Sequence, residues 1–283
     1  MSEAKTIAVL LTVHNRCAET IACLSRLYAQ RLPNNVLFDV FMVDDGCTDG
    51  TAEVVKEKFP NVHIITADGS LYWNRGMYRA WEVAAEASEY DYYLWLNDDT
   101  MLFPQAVKKM FILNEEYNAK VIIAGATKSK DSDDLTYGGR IGARIPKCDG
   151  YPHEVEYFNG NVVLIPQSVF ATLGNLDYYY THSKGDFDYG LRANRKGIKM
   201  YQMGEVVGTC EAHEQVDSWC DPNIPFRQRW KLMHKPNGMP PNETFHFEKQ
   251  ISIPKALFHY ITIHVRCVFP KIWIKDEIRK LKK

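Results

Sequence analysis

An α/β, doubly wound fold is what this sequence predicts, on three observations. Short apolar runs rich in Val, Ile, Leu and Thr alternate with stretches of helical periodicity. The first run, "TIAVLLTVH", is apolar on both faces, as a strand covered by helices on each side must be. The first four runs end on polar or acidic residues, at Thr12–Asn15, Asp44–Asp45, Asp68 and Asp98–Asp99. Such alternation implies right-handed crossovers and a parallel sheet, whose ligands bind at the carboxyl ends of the strands.

The elements follow in order. Residues 17–31 place Ile21, Leu24, Leu27 and Tyr28 at helical spacing. "VLFDVFMVDDG" is a second buried strand. "TDGTAEVVKEKF" opens with Thr48 or Asp49 ahead of Glu53, a capping signature, and continues as a helix. "NVHIITAD" is the third strand, residues 74–89 the third helix and "YDYYLWLNDD" the fourth strand. Pro104 opens a helix through "PQAVKKMFILNEEY", and "AKVIIAGA" is a further strand. A polar, Gly-rich excursion through residue 150 reads as a hairpin or loop. "VEYFNGNVVLIP" is a strand broken by Asn159-Gly160-Asn161, and "KGDFDYGLRANRKG" a helix stopped at Gly197.

The 283 residues suffice for one large domain or two small ones, and 46% hydrophobic with 24% charged residues is an ordinary globular balance. A formal net charge of −1 gives no basic excess, so nucleic acid is not an expected partner. The N-terminus lacks the pattern of a signal peptide, and no apolar run has the length of a membrane span. Seven scattered cysteines without a CxxC pair disfavour a zinc knuckle or disulfide framework. The expected location is cytoplasmic.

Asp98 and Asp99 follow a buried strand, where neighbouring carboxylates repel and unpaired burial is costly. One reading is a loop start with Asp99 capping the next turn. The other is a site for a hard divalent cation, which takes oxygen ligands from one or two carboxylates plus substrate phosphates. "TVHNR", "VDDGCTDGT", "YLWLNDDT" and "GDFDYGLR", in this order and spacing, resemble the motifs of family-two inverting glycosyltransferases. "DGSLYWNRGMYRAWEVA" and "NGNVVLIP" resemble more particularly bacterial rhamnosyltransferase-like members of polysaccharide assembly. The resemblance covers residues 5–215 and implies the GT-A fold, a mixed sheet flanked by helices, here with a C-terminal helical extension.

The resemblance also implies roles. Thr12 and Asp45 hold the nucleotide base, Asp98 lies by the ribose and metal, and Asp99 binds the Mn²⁺ or Mg²⁺ that bridges the donor diphosphate. Where many members carry a third acid, this chain has Thr100. Asp186 matches the general base. His213 matches a histidine that joins the metal shell or contacts the diphosphate, against a structural histidine as the alternative. Asp188 positions Asp186, binds acceptor or acts as an N-terminal helix acid, and Arg192 one turn on is its expected partner. From the residues themselves, Asp68, Tyr72 and Trp73 lie at the ligand edge, where the aromatic rings stack on sugar or seal the core. Gly160-Asn161 brings backbone close to a sugar or forms a plain bulge.

Three segments are expected: a catalytic domain at 1–215, a linker and loop region at 216–250, and a basic amphipathic helical segment at 251–283. Pro254 and Pro270 bracket its first helix. This last segment either lies on an anionic membrane surface or packs on the domain with a solvated basic face. The expected function is metal-dependent transfer from a nucleotide-diphosphate sugar, of dTDP-rhamnose or UDP-hexose type, to a glycan or lipid-linked acceptor. A peripheral association with the inner face of the plasma membrane accompanies it. The alternatives are a sugar nucleotidyltransferase, which usually carries a Gly-rich basic N-terminal loop absent here, and a catalytically silent GT-A scaffold binding glycan or protein partners.

Overall fold

Four parallel strands with helices between them form the first half of the chain. They are β1 (Lys5–Val13), β2 (Val36–Asp45), β3 (Val62–Ala67) and β4 (Tyr92–Leu96), separated by α1 (Cys17–Tyr28), α2 (Thr51–Lys58) and α3 (Tyr72–Ala87). The computed structural model describes residues 4–212 and 218–271. Contacts group the chain into two units, Met1–Thr181 with Gly185–Ala212, and His182–Lys184 with His213–Lys283.

In the first unit there follow β5 (Met101–Leu102), α4 (Ala106–Glu116), β6 (Ile122–Lys128) and four short strands, β7 (Leu135–Tyr137), β8 (Gly139–Arg140), β9 (His153–Glu154) and β10 (Tyr157–Phe158). Then come β11 (Val162–Pro166), α5 (Gln167–Leu173), α6 (Gly185–Arg195) and β12 (Met200–Thr209). Among the described residues the main sheet runs β3-β2-β1-β4-β11-β6-β12-β5. It is mixed rather than parallel throughout. β11 is antiparallel to β4, with Val162 opposite Leu96 and Pro166 opposite Tyr92. The chain reaches β11 through the long excursion rather than a helical crossover, so it enters at the carboxyl edge of β4 and runs back. That reversal delivers Asn159-Gly160-Asn161 to the strand tips.

Period-two alternation divides the core between the two faces. Ile7, Val9 and Leu11 of β1 pack with Leu24 and Leu27 of α1 and Met110 of α4. Ala8 and Leu10 turn the other way, to Met77, Ala80 and Trp81 of α3 and Tyr189 of α6. In β4, Leu94 faces the first layer while Trp95 meets Trp81 edge-on at 5.4 Å. The expected capping box of α2 does not form; Asp49 instead accepts the N–H groups of Thr51 and Cys17.

The second unit holds a 3₁₀ turn (Ser218–Cys220), α7 (Phe226–Met233), α8 (Pro241–Glu248) and α9 (Ile253–Val268), with Trp219, Met233, Ile263 and Cys267 as its core. Two helices thus occupy the stretch expected as linker. Pro225 precedes α7, and Pro240 and Pro241 stand at the start of α8, where a missing N–H costs nothing. Buried Arg229 of α7 donates to the carbonyls of Cys267 and Val268, capping the end of α9. α9 has Pro254 in its first turn and stops before Pro270. No helix among the described residues is long and apolar enough to cross a membrane.

Candidate active site

The acidic tip of β4 has a cation supplied by the chain itself. Arg16, between β1 and α1, places Nη1 3.0 Å from Asp98 Oδ1 and 2.8 Å from Asp99 Oδ2. Asp98 is nonetheless pushed up to about 7: its burial dominates, Asp99 adds to the effect, and Arg16 opposes it. Its second oxygen, Oδ2, is buried and makes no hydrogen bond.

This shift has a stability consequence. Between the ordinary carboxylate value of about 4 and the raised value, folded Asp98 keeps a proton that the unfolded chain has lost. Its contribution therefore favours folding at low pH and is lost as pH rises through that window. Urea unfolding of wild type and Asp98→Asn checks this. The substituted chain is expected to gain on wild type from about pH 4 to about pH 7, and a constant difference would contradict it.

Asp99 Oδ1 accepts the thiol of Cys210, at 3.4 Å, and the amide of Asn161 reaches the same sulfur at 3.5 Å. Burial, then Asp99, pushes the Cys210 thiol up to about 12, which keeps it protonated as a donor. Asn161 also accepts the N–H of Asn97 at 2.9 Å. Its neighbour Gly160 donates to Asp186 Oδ2 at 3.1 Å. A chain of contacts thus runs from Asp99 through Cys210, Asn161 and Gly160 to Asp186, along one edge of the sheet. Gly160 has no alternative there, since a Cβ would fall 2.5 Å from the indole of Trp73. That indole is held by its N–H on Asn97 Oδ1, at 2.7 Å, and by Trp95.

The remaining residues are placed as follows. Asp45 is buried and accepts the N–H groups of Gly69, Leu71 and Tyr72 at 3.0, 3.1 and 2.7 Å. It secures the turn into α3, where Tyr72 adopts a left-handed φ of 56°. Thr12 lies under that helix: a Cβ at Gly76 would fall 2.1 Å from its hydroxyl. Asp68 is exposed and forms a local turn with Ser70, whose hydroxyl and N–H lower its pKa. Asp188 is buried against Arg192 Nε at 2.9 Å, and Arg192 also donates to the carbonyls of Leu173 and Asn175. That burial leaves Asp188 no surface for an acceptor, and the pair anchors α6. His213 lies outside the described residues.

Sequence reasoning missed Arg16, Asn97 and Cys210. Arg16 stands inside the quoted "TVHNR", but its partners lie on another strand and no local pattern announces them.

Residues 8–173, more than half of the chain, match the family "Glycosyl transferase family 2". The chain belongs to this family. Hyaluronan synthase of Streptococcus pyogenes is 23% identical over 266 residues, 89% of this chain and 59% of that protein. The chain therefore spans less than two thirds of that relative. N-acetylglucosaminyl-diphospho-decaprenol L-rhamnosyltransferase of Mycobacterium tuberculosis is 22% identical over 205 residues, 62% of this chain and 67% of that one. Among solved structures, S. aureus TarS 1–349 in complex with UDP gives a TM-score of 0.53 at 13% identity, covering 81% of this chain and 71% of that one. The same protein without UDP gives 0.54 at 12% identity, over 72% and 60%. These likenesses show the shared GT-A fold.

For a family-2 chain the acid pair fits a divalent cation. Asp98 offers an unpartnered buried oxygen and Asp99 a second carboxylate beside it. Among the described residues no group of three or more His, Cys, Asp or Glu side chains gathers to hold an ion. Diphosphate oxygens would therefore complete such a shell.

Proposed function

We propose that the protein is an inverting glycosyltransferase that moves a sugar from a nucleotide-diphosphate donor to a hydroxyl of a glycan or lipid-linked glycan. The observation that carries this reading is the contact chain linking the acid pair Asp98–Asp99 to Asp186. One end suits a cation that carries a diphosphate, and the other an incoming alcohol. Asp98 and Asp99 would hold the cation, whose charge would draw in the diphosphate end of the donor, with Arg16, paired to both acids, as a second positive group. When bound, Mn²⁺ or Mg²⁺ supplies positive charge to the departing diphosphate.

Asp186 takes the proton of the acceptor hydroxyl while that oxygen bonds to the anomeric carbon. The bond from that carbon to the diphosphate breaks, and its electron pair leaves with the nucleotide. The N–H groups of Gly160 and Phe187 orient the Asp186 carboxylate. Trp73 offers an aromatic wall to the sugar. Donors of dTDP-rhamnose or UDP-hexose type are the first to examine, the likeness to a rhamnosyltransferase supporting the former and that to a UDP-bound protein the latter. A cytoplasmic site of action suits a nucleotide-sugar donor.

A thermal-shift panel of nucleotide sugars, with and without Mn²⁺, tests the reading, because a ligand of the native state raises Tm. The fitting donor is expected to raise Tm more when Mn²⁺ is present, and Asp99→Ala to erase that increment. Equal shifts in wild type and variant would remove the acid pair from the donor site.

A further inference from the structure

The second unit carries a surface that the transfer chemistry does not use. Along α9 the core-facing positions are Ala256, Ile263 and Cys267. The opposite face is formed by Ile253, Leu257, Phe258, Ile261, Val265 and Val268, all exposed. Phe258 is 70% exposed, Ile253 60% and Ile261 59%. At 100° per residue these six and Pro254 fall within one sector that holds no Asp, Glu, Lys or Arg and has His264 as its polar member near one edge. An amphipathic helix in water normally shows the reverse, with its apolar stripe inward and its polar stripe outward.

α7 extends this surface. The Trp230 ring lies 5.6 Å from that of His264, at the margin of the α9 stripe. Phe226, Arg227, Trp230 and Lys231 line an open groove of about 330 Å³, two aromatic rings beside two cations. Arg229, bound to the last carbonyls of α9, fixes the two helices to each other. Lys255 is exposed on α9 beside the stripe. After Val268 the sequence supplies Lys271, Lys275, Arg279, Lys280, Lys282 and Lys283 against Asp276 and Glu277.

We infer that the outer faces of α7 and α9 form a docking surface for an anionic lipid bilayer. The occupant follows from charge and polarity together. A stripe of this width, without Asp, Glu, Lys or Arg, suits the boundary of the acyl region, and the flanking cations suit anionic headgroups just above it. Trp230, with an apolar body and one N–H, has the chemistry of a side chain at that depth. A second copy of this chain would cover the stripe but would bring the same cations to face one another. The inference deepens the lipid-linked-acceptor reading and rests on it for its purpose. Vesicle binding is measured without donor or transfer, so the two fail separately.

The test is sedimentation of the full chain with vesicles of phosphatidylcholine alone or mixed with phosphatidylglycerol. Wild type is expected to pellet with the anionic vesicles and to be released by high salt. Leu257→Asp with Ile261→Asp, at exposed positions where thermal melting verifies folding, is expected to weaken that partition about tenfold or more. Arg227→Glu with Lys231→Glu is expected to remove much of its salt sensitivity. Wild type remaining in the supernatant at low salt, or equal pelleting of folded Leu257→Asp/Ile261→Asp, would overturn the inference. So would light scattering that shows a dimer dissociated by the same pair, which assigns the face to a second copy.

Discussion

Asp186→Asn is expected to lower transfer by about 10²–10⁴-fold while donor binding stays near wild type, the scale on which a positioned general base contributes. Asparagine keeps the shape and its one oxygen can still accept the N–H of Gly160 while that of Phe187 gives up its acceptor, so the turn at 160–161 should hold. What it cannot do is take up the proton of the acceptor hydroxyl. The loss should therefore appear in kcat, with nucleotide affinity by titration unchanged. Unaltered turnover would strip Asp186 of the role and leave the transfer without a base on that side of the site.

Arg16→Met should be felt first in stability. Removing the guanidinium leaves two neighbouring carboxylates, one buried and one nearly so, without their cation. Breaking a fully buried pair costs about 3–5 kcal/mol, and exposed pairs are worth up to about 1 kcal/mol. The Arg16 side chain is 37% exposed, so solvent screening reduces the figure. A loss of roughly 2 kcal/mol by urea unfolding at neutral pH is the expected result. Asp98 should then hold its proton to still higher pH, which softens the loss in acid. Mn²⁺ alone is expected to raise the Tm of Arg16→Met more than that of wild type, since the ion then meets an acid pair with no competing cation. Arg16→Lys keeps a cation within reach of the pair and should recover part of the stability. If Arg16→Met melts with wild type and gains nothing from Mn²⁺, the bridge does not neutralise the pair.

Much of the first half was legible because its signals are local. The unbroken apolar run "YYLWL" and the helical spacing around α1 each lie within one window, and the resulting order forces the strand tips to one edge. The carboxylates at that edge were visible for the same reason. What escaped was non-local. Arg16 meets acids more than eighty residues away, and Asp45 spends its carboxylate on three loop amides rather than standing open to a base. The reversal of β11 depends on how a long excursion returns, which periodicity within the strand does not encode. In the second unit the stretch expected as linker holds helices that begin after Pro225 and at Pro241, and a proline opens a helix as readily as it ends one.

The absence of a side chain at position 160 has a mechanical consequence. In the proposed reaction indole and base would share a single pivot, since residue 160 has no room for a Cβ against the ring of Trp73 and its N–H holds the carboxylate of Asp186. A hexose too bulky for the wall would tilt the ring, shift the pivot and swing the proton acceptor out of line. Selection among donors would then be enforced as slow turnover of the wrong sugar rather than as its exclusion from the pocket.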